Sequence, residues 1–334
     1  MTKRALTGIK PTGVPHVGNY FGAIRPALGL TETYDAYYFI ADYHALTTVR
    51  DPKELTEQTY GVAAAWLAMG LDPERVTLYR QSDIPEIFEL TWILACLTPK
   101  GLMNRAHAYK AAVDAAVAAG KADVDADVSM GVYSYPVLMA ADIIAFSSDI
   151  VPVGRDQTQH VEMARDIAQK FNHAYGPVLT VPAVAVQKEV ATIIGSDGRK
   201  MSKSYGNIVP LFGEPAELRK IIRRYKTDSS GLNEPKDPEA SGLFQMYREI
   251  APADDVARIR AGLESGELSW KELKDATFET LDAFLAEPRE RYRELMADPA
   301  RIQRVLREGA ERARPDASTL LVKVRAAIGR QPLA

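Results

Sequence analysis

LTGIKPTGVPHVGNY, residues 6–20, is the stretch that decides the fold. An apolar start leads into a turn with Gly8, Gly13 and Gly18, and then into an apolar-periodic segment from Tyr20. This order predicts a buried strand, a glycine-rich turn and a helix. Glycines let a ligand approach the backbone closely, and unpaired N–H groups at the start of a helix favour phosphate. A strand–turn–helix without a ligand fits equally well, since neither standard phosphate loop, G-x-G-x-x-G or G-x-x-x-x-G-K-[ST], occurs in the chain.

Beyond this stretch, the first half of the chain alternates strand-like and helix-like segments. Short apolar runs at Ala36–Ala41 and Val76–Tyr79 are typical of strands, and helical spacing covers Pro52–Met69 and Ile87–Leu97. The alternation predicts an α/β fold with a Rossmann-like parallel sheet. Such sheets bind ligands at the carboxyl ends of their strands. His44, just after the second strand, is therefore a pocket candidate, although a structural histidine is an equal alternative.

The composition is that of an ordinary globular chain, with 46% hydrophobic and 25% charged residues among 334 and a formal net charge of −3. This charge neither indicates nor excludes nucleic-acid binding. A single cysteine, Cys96, excludes an internal disulfide framework and a cysteine-based metal site. Cys96 stands in the apolar run Trp92–Leu97 and is predicted to be core. No metal site, signal peptide or membrane-length apolar stretch is found, so we expect a cytoplasmic protein without membrane contact.

A lone carboxylate stands in the apolar segment Gly131–Ile143. Asp142 falls inside a predicted helix, where burying it is costly unless a partner satisfies it. Met139 and Tyr135, one and two turns earlier, lie near the same face. An apolar face with one carboxylate suits a flat aromatic ligand that carries a single N–H or O–H. From these residues alone, a structural role for Asp142 fits as well as a ligand role.

A basic segment, K-M-S-K-S at Lys200–Ser204, is flanked by Gly195, Gly198 and Gly206. Two lysines and a serine between glycines suit a mobile loop that closes over a triphosphate, although single exposed lysines are usually only solvated. With P-H-V-G-N at residues 15–19, this motif resembles the paired motifs of class I aminoacyl-tRNA synthetases. YPVLMAADI (135–143) and VPVGRDQTQH (151–160) are similar to the tryptophanyl-tRNA synthetases in particular. The resemblance runs from about residue 6 to residue 212.

The resemblance implies a ligase reaction in two steps. Tryptophan and ATP would form tryptophanyl-adenylate and pyrophosphate, and the tryptophanyl group would pass to the 3′-terminal ribose of tRNA(Trp). It also implies Mg²⁺ as a cofactor beside the substrate ATP, and a homodimer. Three alternatives stay open: a tyrosyl-type synthetase, a nucleotidyltransferase that makes a small cofactor, and a non-catalytic paralogue that binds tryptophan or tRNA. The M-A-A-D and V-P-V-G segments speak against the first, Asn19 in place of a histidine against the second, and the intact motifs against the third.

The resemblance also implies roles for individual residues. The implied catalytic residues are His16, Lys200, Ser202 and Lys203. Those implied to bind ATP are Lys10, Pro11, Thr12, Gly18, Asn19, Gly154, Asp156, Ile193, Lys200, Met201, Ser202, Lys203 and Ser204. Those implied to bind tryptophan are Leu6, His44, Tyr135, Met139, Asp142, Val151, Val153 and Gln157, with Asp142 accepting the indole N–H.

This sequence departs from the commoner family pattern at three places. Lys10 stands where a glutamine often contacts ATP, and Leu6 where an aromatic residue often packs on the indole. The family's mobile-loop lysine, which reaches the triphosphate, has no unambiguous counterpart. Lys110, just before a predicted alanine-rich helix at Ala111–Ala119, is our candidate, and Arg105 is the second choice.

The chain is expected to divide near residue 214. Residues 1–214 would form the catalytic domain, with an insertion at about 98–134 that supplies subunit contacts and carries a solvated acidic loop. Residues 215–334 would form a helical region that meets the tRNA anticodon and returns partly to the catalytic domain at its end. Its last part is rich in basic residues: Arg301, Arg304, Arg307, Arg312, Arg314, Lys323, Arg325 and Arg330. This excess is a candidate phosphate-facing surface. From the residues alone a solvated helix face is the preferred explanation, and the resemblance is what favours tRNA contact.

Overall fold

A five-stranded parallel sheet forms the centre of the protein. The structure is a computed structural model that describes residues 3–13, 15–153, 158–186 and 193–330. The strands are β1 (Arg4–Ile9), β2 (Asp35–Ile40), β3 (Thr77–Arg80), β4 (Ile150–Val153) and β5 (Ala183–Val186). They pair in the order β3-β2-β1-β4-β5. All four pairings are parallel. This is the strand order of a doubly wound Rossmann fold as far as its fifth strand. The predicted α/β fold is confirmed.

Helices connect the strands and make up the second half of the chain. Those between the strands are α1 (Val17–Asn19), α2 (Arg25–Leu30), α3 (Asp42–Ala45), α4 (Pro52–Ala68), α5 (Glu86–Ala95), α6 (Lys100–Met103), α7 (His107–Ala118), α8 (Met130–Ala145) and α9 (Thr158–Tyr175). A π-helical stretch, Tyr20–Ile24, joins α1 to α2. The later helices are α10 (Pro215–Arg223), α11 (Gly242–Ile250), α12 (Ala253–Ser265), α13 (Trp270–Ala297) and α14 (Pro299–Ala327).

The two faces of the sheet bury two separate apolar clusters, as alternation along a strand requires. Tyr38 and Ile40 of β2 point to one side, where their cluster continues into the later helices through Phe244 and Leu281. Tyr37 and Phe39 point to the other side, among residues of α5, α8 and α9. The same alternation positions Leu6 of β1 on the second side, which is the side that carries the candidate site.

Two local predictions from the sequence are wrong. Cys96 is exposed rather than core. Helix α5 buries Ile87, Leu90 and Leu94, whereas Trp92 lies on its other face and is 72% exposed. Cys96 follows Trp92 by one turn and shares that outer face. The alanine-rich helix begins at His107 instead of Ala111, so Lys110 lies within α7.

Helix α14 brings the end of the described chain back to the sheet. It packs against the edge strand β3 and against α5. A Cβ atom added at Gly309 would lie 1.7 Å from the main-chain oxygen of Leu78, so only glycine permits this close approach. Arg312 donates to the main-chain oxygens of Pro73 at 2.7 Å and Val76 at 3.0 Å. The helix therefore covers a sheet edge that would otherwise expose unpaired backbone groups.

Across the described ranges, none of the helices has both the length and the apolar character that crossing a membrane requires.

Candidate active site

A cavity of about 560 Å³ lies at the carboxyl ends of β1, β2 and β4. Six of the residues implied to bind tryptophan line it together: Leu6, His44, Tyr135, Met139, Asp142 and Val151. They come from three strand regions and from α8, so only the fold brings them together. Its walls are mostly apolar, and a few polar groups converge in it, which is the usual character of a small-molecule site.

Asp142 is the buried carboxylate of this cavity, with 1% of its surface exposed. Its Oδ2 atom lies 2.9 Å from Nε2 of His44. Gln81 donates from Nε2 to both carboxylate oxygens, at 2.9 Å each. Burial raises the pKa of Asp142, and the hydrogen bonds from His44 and Gln81 act against that rise. The carboxylate is thus held as an acceptor in an otherwise apolar wall.

One polar side chain that the sequence analysis did not select also faces the cavity. His160 lines it, with Nε2 2.6 Å from the hydroxyl oxygen of Tyr135. Thr7 also lines the cavity, but its side chain points to the opposite face of the sheet from Leu6, where its Oγ1 atom is buried without a hydrogen-bond partner among the described residues. Thr7 alternates with Leu6 on β1, and no motif in the sequence marks it.

Lys10 stands at the edge of the same cavity, and it is the one residue among those implied to bind ATP that lines it within the described part. Its Nζ donates to Oγ1 of Thr47 at 2.9 Å, and Thr47 donates to the main-chain oxygen of His44 at 2.8 Å. Loss of hydration lowers the pKa of Lys10. The ammonium group of Lys10 therefore lies next to the residues implied to bind tryptophan, on the side of the cavity toward the glycine-rich turn.

The two sequence motifs meet beside this cavity. The segment around His16 pairs with the segment after the lysine motif, since Val17 N–H donates to the Val209 oxygen at 2.9 Å. Nζ of Lys203 donates to the main-chain oxygen of Thr12. Loss of hydration lowers the pKa of Lys203 as well. The structure thus brings one motif lysine onto the glycine-rich turn.

His16 is buried, and its Nδ1 atom has no hydrogen-bond partner in the structure. Burial lowers its pKa to about 4, with a smaller contribution from the nearby charge of Lys203. A Cβ atom at Gly18 would lie 2.9 Å from Nδ1 of His16 and 3.4 Å from Sδ of Met201. Glycine at position 18 is what lets the His16 ring and the lysine motif approach the same turn. A neutral imidazole with an unused nitrogen can still bind a ligand there.

The start of α1 differs from the expectation that it offers unpaired N–H groups to phosphate. His16 N–H donates to Oδ1 of Asn19 at 3.0 Å, Val17 N–H to Val209, and Asn19 N–H to the His16 oxygen at 2.8 Å. The helix is only three residues long before the π-helical stretch begins. The N–H groups of His16, Val17 and Asn19 are therefore already bonded, and the Asn19 side chain itself serves as a cap.

Asn207, a residue that the sequence analysis missed, binds the backbone of the lysine motif. Asn207 is buried and accepts from the N–H of Ser202 at 2.7 Å, while its Nδ2 donates to Asp197 at 2.7 Å. Met201 N–H donates to the Ile193 oxygen at 2.9 Å. The Met201 side chain is buried in the apolar core, so it anchors the loop instead of facing outward.

The remaining predicted residues are not brought to the cavity or cannot be placed. Lys200 and Ser204 are exposed on the loop, and Lys110 is exposed on α7. Pro11 is buried and Thr12 exposed in the glycine-rich turn. Gly154, Asp156 and Gln157 lie outside the described residues, as does the side chain of Val153. Among the described residues, no group of three His, Cys, Asp or Glu side chains could hold a metal ion.

The basic residues near the end of the chain divide into two groups. Arg312 binds backbone oxygens as described above, Arg314 pairs with Glu86 at 2.9 Å, and Arg325 pairs with Glu89. These three attach α14 to α5 and to the segment before β3. The others are exposed: Arg301, Arg304, Arg307, Lys323 and Arg330.

Comparison with known proteins places this chain in a family. The profile of the family "tRNA synthetases class I (W and Y)" matches residues 2–286. The chain belongs to this family of class I aminoacyl-tRNA synthetases.

Within the family, the similar relatives are tryptophan–tRNA ligases. The chain is 51% identical over 333 residues to that enzyme of Neisseria meningitidis, covering 99% of both chains. It is 53% identical over 342 residues to the Pseudomonas aeruginosa enzyme, covering 100% of this chain and 76% of that one. A tryptophanyl-tRNA synthetase structure from Campylobacter jejuni, complexed with ADP and tryptophan, is 41% identical with a TM-score of 0.88, covering 98% of this chain and 99% of that one.

Proposed function

We propose that this chain is a tryptophan–tRNA ligase that activates tryptophan with ATP and transfers it to tRNA(Trp). The observation that carries this proposal is the buried carboxylate of Asp142 in an apolar cavity at the carboxyl ends of parallel strands. Such a cavity accepts a flat aromatic side chain, and the carboxylate supplies an acceptor for its one N–H. The relatives named above carry the same activity in their names, and ATP fits the ADP-bound neighbour.

In the first step, the tryptophan carboxylate attacks the α-phosphate of ATP and the bond to the β-phosphate oxygen breaks. The products are tryptophanyl-adenylate and pyrophosphate. In the second step, the 2′-hydroxyl of the terminal tRNA ribose attacks the activated carbonyl, loses its proton and releases AMP. Neither step needs a covalent enzyme intermediate, and phosphoryl transfer of this kind depends mainly on positioning and charge stabilisation.

The lysine motif would supply the positive charge for the first step. Lys203 already lies against the glycine-rich turn, and Lys200 is exposed on the same loop. We assign both ammonium groups, with Ser202, to the departing pyrophosphate. His16 would bind ATP through its unused nitrogen. Mg²⁺ would supply further positive charge to the ATP phosphates, since it prefers phosphate and water ligands.

Lys10 would connect the two halves of the site. It lines the cavity that holds Asp142, and it stands at the end of β1 where the glycine-rich turn begins. A cation at that position is suited to the tryptophan carboxylate or the α-phosphate, the two groups that react. The Lys10 ammonium group can be partly buried there because it donates a hydrogen bond to Thr47.

The decisive experiment is amino-acid-dependent exchange of pyrophosphate into ATP, measured with tryptophan, tyrosine and phenylalanine in parallel. Exchange with tryptophan alone is the expected result. Exchange with tyrosine would indicate a tyrosyl-type synthetase and overturn the assignment of the cavity. If no amino acid supports exchange in the presence of Mg²⁺ and tRNA, the chain is a non-catalytic paralogue.

Two further assignments concern the surfaces. The exposed basic residues of α14 and the helical region before it are our candidates for tRNA contact, with protein biosynthesis in the cytoplasm as the setting.

Three large apolar side chains on packed neighbouring helices are unusually exposed: Trp92 (72%) on α5, Val117 (62%) on α7 and Met130 (73%) on α8. A homodimer that covers them is expected, and Trp92→Glu should shift the mass measured by light scattering from two chains to one.

A further inference from the structure

We propose that Gln81 is a positioning residue for amino-acid specificity, which orients the Asp142 carboxylate so that it reads the ligand's N–H. This inference rests on the proposed function, since it assigns a second residue to the recognition of tryptophan. Gln81 does not line the cavity, and none of its surface is exposed. It therefore acts through Asp142 and not by touching the ligand.

The orientation of the Gln81 amide is determined by its surroundings. Its Oε1 atom accepts from the N–H groups of Tyr43 at 3.2 Å and His44 at 3.3 Å. Backbone N–H groups can only donate, so the oxygen must face them and Nε2 must face Asp142. The reversed amide would place its NH₂ against two donors and its oxygen against a carboxylate. The hydrogen-bonding pattern therefore excludes the reversed amide.

Gln81 links three elements that carry the site. It follows β3, it binds the backbone at the start of the helix that carries His44, and it donates to the carboxylate of α8. Because His44 also contacts Oδ2 of Asp142, the three side chains restrain one another. A carboxylate held from two directions loses little additional freedom when a ligand binds, which strengthens its selectivity.

Gln81 also supports the charged state of Asp142. Burial disfavours that state, and the negative charge of Asp42 disfavours it further, whereas His44 and Gln81 favour it. A protonated carboxyl group would carry its own O–H donor and would be a weaker acceptor for an indole N–H. Removal of the Gln81 donors should therefore reduce the advantage that a ligand gains from carrying an N–H.

The test compares tryptophan with its benzothiophene analogue, in which sulfur replaces the indole N–H and the shape is nearly kept. Gln81→Met removes both functions of the amide, whereas Gln81→Glu keeps acceptors for the two backbone N–H groups and replaces the donors to Asp142 with a second carboxyl group. Ser82→Ala is the matched control, because Ser82 follows Gln81 directly but its hydroxyl donates to Asp42, not to Asp142. Pyrophosphate exchange gives kcat and KM for each amino acid and for ATP, and thermal unfolding reports folding.

In both Gln81 variants, kcat/KM for tryptophan should fall about 10- to 100-fold, the usual effect of losing hydrogen bonds to a buried charge. The loss should reside in KM for tryptophan, with KM for ATP unchanged. The preference for tryptophan over the analogue should decrease about tenfold, and Ser82→Ala should leave that preference unchanged.

Two results would overturn this assignment while leaving the proposed function intact. One is an unchanged preference in folded Gln81 variants of a chain whose wild type exchanges with tryptophan. The other is failure of both variants to fold, which would make Gln81 a purely structural residue. A wild type without tryptophan-dependent exchange would instead overturn the proposed function, and this inference with it.

Discussion

The ammonium of Lys203 donates a hydrogen bond to the main-chain oxygen of Thr12, a residue 191 positions earlier in the chain. This contact joins the lysine motif to the glycine-rich turn next to the cavity that contains Asp142. A lysine that binds a neutral carbonyl in this way can transfer its hydrogen bond to a phosphate oxygen, which carries charge and binds it more strongly. The contact therefore positions the cation close to where a triphosphate would lie.

Replacing Lys203 by alanine should lower the rate of pyrophosphate exchange by about two to three orders of magnitude, the usual effect of removing one preorganised charge-stabilising donor. Tryptophan affinity should stay nearly unchanged, because Lys203 does not line the cavity. Exchange kinetics and calorimetric titration with tryptophan measure the two effects separately. Lys170→Ala, at an exposed position of α9, is the control. Exchange at the wild-type rate in Lys203→Ala would contradict the role of Lys203 in stabilising the departing pyrophosphate.

Asp142→Ala should weaken tryptophan binding far more than ATP binding. The native site pairs a buried carboxylate with the ligand's N–H, and discrimination by such a pair is large because the lost partner leaves a polar group unsatisfied. Asp142→Asn, which keeps the volume of the side chain, separates loss of charge from loss of packing. Equilibrium titrations with each ligand measure the outcome. If both ligands bind as they do to the wild type, Asp142 is structural.

The stability of the protein should decrease as the pH falls from about 6.5 to about 4, in part because of His16. Its pKa of about 4 in the folded chain lies below the ordinary 6.5. Between these values the unfolded chain binds a proton that the folded chain does not, so the free energy of unfolding rises with pH across this window. The contribution is at most about 3 kcal/mol, since one pKa unit corresponds to about 1.4 kcal/mol.

Urea unfolding of wild type and His16→Gln at several pH values between these limits tests this expectation. The variant should show a shallower dependence on pH, because its side chain does not titrate. His173→Gln, at an exposed position of α9, is the control and should behave as the wild type does. Identical slopes for His16→Gln and the wild type would contradict the burial argument.

Gly309→Ala should lower the free energy of unfolding by about 1–3 kcal/mol, the range of overpacked positions. The added methyl group would meet the main-chain oxygen of Leu78 at 1.7 Å, so α14 must move away from β3. Gly29→Ala is a matched control in α2, where no atom lies within 4 Å of the new methyl group. That change should stabilise the protein by about 0.5–1 kcal/mol through helix propensity. Chemical unfolding measures both, and equal effects would contradict the close packing of α14.

The sequence was most informative where a local pattern and a strand end coincide. The first strand, the helix at Pro52–Ala68 and the carboxylate of Asp142 could be predicted because apolar periodicity and the motifs act over a few residues. Gln81 follows β3 as His44 follows β2, so the same strand-end rule could have found it. Asn207 follows the lysine motif by three residues, and only its neighbours in space make it relevant.

The predictions from the sequence that were wrong share one physical cause. Cys96 and Trp92 are apolar by composition, but which face of a helix is buried depends on what packs against it, and α5 turns this face outward. The sequence could not show that the Val17 N–H at the start of α1 is occupied, since its acceptor, the oxygen of Val209, lies far away along the chain. Likewise, the basic residues of α14 divide between anchors and free surface according to the position of α5.

The sequence by itself determined the alternating α/β order, the two motifs and the chemistry that their residue types permit, because backbone periodicity and side-chain type are local properties. Only the tertiary structure decided that Leu6, His44, Tyr135 and Asp142 line one cavity, that Gln81 orients the carboxylate, and that Lys203 meets Thr12. These relationships join residues far apart in the chain. They depend on how the strands order themselves and how helices cover them, and no short stretch of sequence carries that information.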